Sequence, residues 1–166
     1  PLDPKTRMGP QTSKEQIEKI GRYVEVGKQE GASLVLGGER ATIGSGRGYF
    51  WKPTIFDGVA NSMRIAREEI FGPVLSVIAF DDFDEAIGMA NDSFYGLAAA
   101  IWTRDVKKAH HAARRLQAGT VWINTYNLYD AASPYGGTKG SGFGRESGMA
   151  GLDFYTQTKS VWVDIS

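Results

Sequence analysis

Residues 97–124 read LAAAIWTRDVKKAHHAARRLQAGTVWIN, and this stretch decides the fold class. Its ends, LAAAIW (97–102) and TVWIN (120–124), are near-continuous apolar runs rather than alternating ones, the pattern of strands covered on both faces. Between them the spacing predicts a helix from Asp105 to about Gln117, with Val106, Ala109, Ala113 and Leu116 turned inward. Arg114 and Arg115 complement the negative end of its dipole, and Gly119 stops it. Strand, helix and strand with short links form a parallel unit with a right-handed crossover.

The same texture continues upstream. VLSVIAF (74–80) reads as another covered strand, and a helix follows from Asp82, where Glu85 completes a D-x-x-E box. Phe83, Ala86, Ile87 and Ala90 form its apolar face. The order is βαβαβ, so the fold class is α/β: an open sheet with flanking helices. Nearer the start, Ser13-x-x-Gln16 is a capping box, with Ile17, Ile20 and Val24 at helical spacing and Gly31 as a C-cap glycine, predicting a helix over about 14–30. SLVLGG then reads as a short buried strand, and ERATIGSGRGYFWKP as a glycine-rich loop with a hairpin.

Downstream of Asn124 the periodicity stops for about 30 residues rich in glycine, a length that points to a functional loop or to disorder. Tyr126, Tyr129 and Tyr135 argue against disorder. The chain closes with KSVWVDI, where Val161 and Val163 alternate with Trp162, a strand with two faces and an edge to pair. No linker marks two independent domains.

Bulk composition excludes several function classes. The 166 residues carry 19 basic and 19 acidic side chains, so the electrostatic footprint of a nucleic-acid binder is missing. Apolar runs of about seven residues fall far short of the roughly 20 needed to span a bilayer. The opening PLDPKTRMGPQ is polar and turn-like, with no signal peptide, which leads to the expectation of a cytoplasmic protein. The chain does not begin with methionine, so the expectation is a processed chain or part of a longer one. There is no cysteine, which excludes disulfides, thiolate metal sites and a cysteine nucleophile within the chain. With only His110 and His111 as imidazoles, no metal site is expected. Adjacent helical residues diverge by about 100°, so these two share no ligand; His110 falls on the apolar side and His111 on the outer side.

Two stretches stand out chemically. The glycine-rich tail offers Gly142 and Gly144, but Ser147 occupies the third position of a G-x-G-x-x-G loop, and the phosphate-loop pattern is missing too. Tight turning of the backbone accounts for these glycines. REEIFGPV (67–74) places two acids and a phenylalanine on a Gly-Pro turn. Glu68 and Glu69 read either as a solvated pair or as part of a site. A carboxylate beside an aromatic at a rigid turn suits a ligand with vicinal hydroxyls and a flat ring, as in a nicotinamide riboside. The Asn124–Tyr135 segment leaves the C-terminal end of a strand, where open α/β sheets place ligands. Tyr129 and Tyr135 there either line an apolar pocket or pack the loop on the sheet.

REEIFGPVLSVIAF, ANDSFYGLAAAIWT, AGTVWINTYN and SPYGGTKGSGFGRESG follow one another in the order and spacing of the aldehyde dehydrogenase superfamily. MGPQTSKEQIEKIGRYVEVGKQEGASLVLGG and GYFWKPTIF resemble the segment preceding them there, so the resemblance covers essentially the whole chain. It implies an NAD(P)-dependent oxidation of an aldehyde to a carboxylic acid. Glu69 matches the glutamate that binds the nicotinamide ribose, and Phe71 the phenylalanine beside the nicotinamide. Lys19 and Gln16 match positions approaching the cofactor ribose. Asn127, Tyr129 and Tyr135 match the substrate tunnel, and Arg145 and Glu146 an element near the subunit interface. Residues 158–166, with Val161, Trp162 and Val163, match a strand that bridges subunits, implying a homo-oligomer and leaving 1–157 as a partial catalytic domain.

The family's nucleophilic cysteine, general-base glutamate, oxyanion-hole asparagine and adenosine-binding units lie upstream of what matches Pro1. The chain thus resembles the C-terminal portion of such an enzyme, with no catalytic residue of its own. Losing a covalent nucleophile alone costs on the order of 10⁶ in turnover, so the isolated chain is expected to be inactive and to bind NAD(P) weakly or not at all. The alternative is a stand-alone, non-catalytic binding or assembly module derived from such an enzyme.

Overall fold

The computed structural model describes residues 3–166, so Pro1 and Leu2 of the opening PLDPKTRMGPQ lie outside them. The chain divides into two compact units, one ending at Asp81 and one running from Asp82 to Ser166. The boundary falls between adjacent residues, which is why no linker composition announces it.

In the first unit, helix α1 (Lys14–Gln29) begins where the Ser13 hydroxyl accepts from the Gln16 N–H at 3.2 Å. Gly31 takes φ 93 just past its end, a left-handed conformation that costs glycine nothing. Ile17, Ile20 and Val24 form its buried stripe. The stripe packs against β2 (Thr54–Asp57) and the short α2 (Arg64–Arg67), where Phe56, Ile65 and Ile70 complete the core. Burying the Phe56 ring alone contributes about 1.5–3 kcal/mol. β1 (Ser33–Leu36) pairs antiparallel with β2, and β2 pairs in parallel with β3 (Val74–Ser76), giving the order β1-β2-β3.

Two expectations change here. SLVL is not buried: it is an edge strand of the three-stranded sheet, with Val35 and Leu36 exposed. The run 74–80 forms a strand over 74–76 only, since its partner β2 is four residues long, and Leu75, Val77 and Phe80 remain exposed. β2 itself was hidden in the sequence by the Lys52-Pro53 preface and its shortness. The loop between β1 and β2 turns back as a hairpin, with an Arg40–Trp51 bridge.

In the second unit, α3 (Phe83–Asn91) starts at Asp82, whose carboxylate accepts from the Glu85 N–H at 2.9 Å. After the two-residue β4 (Tyr95–Gly96) come β5 (Ala98–Ile101), α4 (Val106–Arg115) and β6 (Thr120–Ile123); β5 and β6 pair in parallel, in register Ala98–Thr120 through Ile101–Ile123. This is the strand–helix–strand unit the opening stretch predicts. β7 (Thr138–Lys139) pairs antiparallel with β4. The βαβαβ order is present, but its strands divide: 74–76 pairs with β2 and 98–101 with β6, each short parallel pair belonging to a different sheet. The buried face of α4 is Ala109 and Ala112; Val106, in the first turn after the Asp105 cap, is 66% exposed. His110 is exposed, as is Ala90 on α3. Residues 158–166 form no strand within the chain; Val161, Trp162 and Val163 are exposed, as an unpaired edge segment leaves them.

Candidate functional site

The loop after α2 is built by alternation. Glu69 points to solvent, Ile70 is buried in the core, and Phe71 returns to solvent with 69% of its surface exposed. Ile70 therefore anchors the turn while Glu69 and Phe71 share its outer side. Phe71 sits at φ 56, a left-handed conformation that costs a bulky residue free energy and needs to be held by its surroundings. Gly72 follows because a Cβ there would lie 2.5 Å from the Ile20 side chain.

Gln16 supplies the hold. Its side-chain nitrogen donates to the Ile70 carbonyl at 3.0 Å and to the Phe71 carbonyl at 2.7 Å. The capping box read from the sequence is therefore half formed: Ser13 caps the Gln16 N–H, but the Gln16 amide reaches across to the loop rather than back to Ser13. On the other side of Glu69, Glu68 is fully engaged. Arg64 donates to both its carboxylate oxygens at 2.8 and 2.9 Å, and the Tyr23 hydroxyl donates at 2.6 Å. The Arg64 and Tyr23 hydrogen bonds hold the Glu68 carboxyl down at about 2, and the hydrogen bond to Glu68 pushes the Tyr23 phenol up. Arg64 and Lys19 also lie over the Tyr23 ring, 5.7 and 5.8 Å from its centroid. The adjacent acids are thus no equivalent solvated pair: Glu68 is structural, and Glu69 is presented outward.

The second candidate region follows β6. Asn124, at φ 55, staples the ends of β5 and β6: its side-chain oxygen accepts from the Thr103 N–H and its nitrogen donates to the Thr103 carbonyl, both at 2.9 Å. Trp122 then organises the loop. Its indole N–H donates to the Leu128 carbonyl at 2.9 Å, and Tyr126 and Tyr129 stand edge-on to it. Tyr135 meets Tyr129 edge-on at 5.1 Å, and their hydrogen bond raises the Tyr129 phenol above its ordinary value. Tyr129 packs on Trp122 of β6, and with Tyr135 it lines a cleft of about 730 Å³. Asn127 is exposed at φ 60 and stands outside that cleft's lining.

Tyr135 and Glu146 exchange backbone hydrogen bonds at 2.8 and 2.7 Å, which ties the aromatic loop to the glycine-rich tail. Arg145 turns inward on that tail, donating to the Gly137 and Gly144 carbonyls at 2.7 and 2.6 Å, while Glu146 stays exposed. Sequence reasoning missed the Tyr23–Arg64–Glu68 cluster, whose signal was the Arg64 and Glu68 spacing of one helical turn. Among the described residues no group of acids and histidines could hold a metal ion, and no helix is long and apolar enough to cross a membrane.

The model of the aldehyde dehydrogenase family matches residues 1–161. The betaine aldehyde dehydrogenase of Mesorhizobium japonicum is 53% identical over 99% of this chain and 34% of its own length. The putative aldehyde dehydrogenase DhaS of Bacillus subtilis is 55% identical over 96% of this chain and 32% of its own. The human mitochondrial aldehyde dehydrogenase is 50% identical over 99% and 31%. Among solved structures, the NAD⁺ complex of an aldehyde dehydrogenase from Bacillus cereus superposes with a TM-score of 0.92 at 55% identity, covering 97% of this chain and 32% of that one. An indole-3-acetaldehyde dehydrogenase in complex with NAD⁺ gives 0.93 at 49% identity, covering 99% and 33%. The chain spans about a third of the length of the relatives it matches.

Proposed function

This chain belongs to the aldehyde dehydrogenase family, and from that premise we propose that it is the C-terminal part of an NAD(P)-dependent enzyme oxidising an aldehyde to a carboxylic acid. The observation that carries the reading is the outward presentation of Glu69 and Phe71 on a turn braced from both sides. The residues fit a nicotinamide riboside. The Glu69 carboxylate has the acceptors for two ribose hydroxyls, worth about 1.5–3 kcal/mol as charge-assisted hydrogen bonds. The exposed Phe71 ring offers a flat apolar face beside it. Lys19 adds a positive charge from the same side of α1.

A bound nicotinamide would supply the hydride acceptor for the oxidation. This chain would orient it: Glu69 would hold the ribose and Phe71 would limit the tilt of the ring. Tyr129 and Tyr135, with Asn127 on the same loop, guide the aldehyde. Arg145 and Glu146, with the terminal Val161, Trp162 and Val163, make contacts between copies in a homo-oligomer of the cytoplasm. The exposure of Leu75, Val77, Phe80 and Leu97 supports a chain that packs on further protein.

The complete lack of cysteine favours a second reading, a non-catalytic binding or assembly module derived from such an enzyme. An immunoblot of the source cells with an antibody to residues 133–148 separates the two. A single band far above 18.1 kDa is expected; a stable product at that mass would overturn the first reading in favour of the second.

A further inference from the structure

We propose that Trp122 is a positioning residue for the aldehyde, holding one wall of the Tyr129–Tyr135 cleft through the Leu128 carbonyl and the Tyr129 ring. This deepens the reading of that cleft as the aldehyde's path, on which it rests.

The segment after β6 has little of its own to fix its shape. Asn124 and Asn127 both take left-handed conformations, at φ 55 and 60. Tyr126, Leu128 and Tyr129 are 61%, 67% and 58% exposed, so the segment buries little apolar surface to offset the entropy of ordering it. Among the described residues, the backbone of 125–129 makes one hydrogen bond, in which the Leu128 carbonyl accepts from the Trp122 indole at 2.9 Å. The far end of the wall is fastened separately, by the backbone bonds between Tyr135 and Glu146. The near end hangs on Trp122.

Trp122 is suited to that task. It is 8% exposed and stands in the β5–β6 ladder opposite Ala100, so the sheet sets its place. Its one donor fixes the backbone at Leu128, and its ring meets Tyr126 at 5.1 Å and Tyr129 at 5.6 Å. Tyr129 in turn meets Tyr135 at 5.1 Å. A single line of contacts therefore runs from a rigid strand to both rings of the cleft.

Trp122→Phe is the discriminating substitution. It keeps an aromatic ring in the sheet and removes the donor, leaving the exposed Leu128 carbonyl to water. If Trp122 only fills space, stability falls and the kinetic constants keep their ratios. If it positions the wall, the loss falls on aldehydes long enough to lie against it.

The test uses the complete enzyme containing this chain, assayed for NADH formation at 340 nm with acetaldehyde and with hexanal, and with Tyr129→Ala as the companion variant. Expected in Trp122→Phe is a KM for hexanal raised about three- to tenfold, with the KM for acetaldehyde and for NAD within about twofold of the parent. An unchanged KM for hexanal overturns the proposal. Equal rises for hexanal, acetaldehyde and NAD also overturn it, because they report general loosening. Should Trp122→Phe fail to fold, benzothienylalanine at position 122 carries the test by the same criteria, since it keeps the shape of tryptophan and puts sulfur in place of the N–H. Tyr129→Ala separates the two levels. If it leaves the KM for hexanal unchanged, the reading of the cleft fails and the proposal with it. If it raises that KM while Trp122→Phe does not, the proposal alone fails.

Discussion

The side-chain nitrogen of Gln16 lies 2.7 Å from the carbonyl oxygen of Phe71, a bond that joins the first turn of α1 to the apex of the REEIFGPV loop. Phe71 adopts φ 56 at that apex. Replacing it with glycine removes a left-handed penalty of about 1–2 kcal/mol and adds a backbone entropy cost of about 0.5–1 kcal/mol. Because the ring is mostly exposed, little apolar burial is lost. Phe71→Gly should therefore keep stability within about 1 kcal/mol of the parent while weakening nicotinamide binding, as read by urea unfolding and NADH titration. A large loss of stability would mean that the ring is structural.

Glu68 gives the first unit an acid-sensitive contact. Its carboxyl is held at about 2 against an ordinary 4.5, by the hydrogen bonds from Arg64 first and Tyr23 second. The folded-state value is the lower, so the contribution is fully present above pH 4.5 and is lost as pH falls toward about 2. The pair is exposed to solvent and salt, so the effect is small. The urea midpoint of Glu68→Gln should fall less than the parent's across that window. Parallel pH profiles would contradict the assignment.

Thr54 is 2% exposed and its hydroxyl serves three groups: it accepts from the Gly38 N–H and the Trp51 indole and donates to the Lys52 carbonyl. Thr54→Val keeps the shape and strands two donors, at about 1–3 kcal/mol each. Chemical denaturation should show a loss near the sum. A change below about 0.5 kcal/mol would show that water replaces the hydroxyl.

Two glycines of the second unit should respond with opposite sign. A Cβ on Gly119 would sit 1.6 Å from the Gly136 carbonyl oxygen, so Gly119→Ala forces the backbone apart. Gly88, inside α3, has open space around that position, so Gly88→Ala gains about 0.5–1 kcal/mol from reduced chain entropy. Thermal unfolding of both variants checks the pair; a stable Gly119→Ala would place that backbone wrongly.

Local chemistry explains what the sequence made legible. Ser13, the Ile17–Ile20–Val24 stripe and Gly31 each act within one or two helical turns, and α1 follows from them within a residue at its end. The β5–α4–β6 unit was legible for the same reason. Partner choice was not. Val74–Phe80 looks like a central strand, yet its ladder stops at Ser76 because β2 is short, a property of residues 20 positions away. The burial of Ala109 and Ala112 rather than Val106 on α4 is set by tertiary packing, which the helical period alone does not encode. In the candidate site, Glu69 and Phe71 drew attention through their chemistry beside a Gly-Pro turn. The role of Gln16 did not, because a glutamine three residues after a serine reads as a cap, and its true acceptors lie 54 and 55 residues on.

The most direct test of Glu69 and Phe71 as the nicotinamide riboside site is the KM for NAD of the complete enzyme carrying Glu69→Gln, measured by NADH formation at 340 nm. The account predicts a rise of roughly 10- to 150-fold, the equivalent of losing charge-assisted hydrogen bonds worth about 1.5–3 kcal/mol. A variant with both KM and kcat unchanged would show that Glu69 does not hold the cofactor, and would contradict the account.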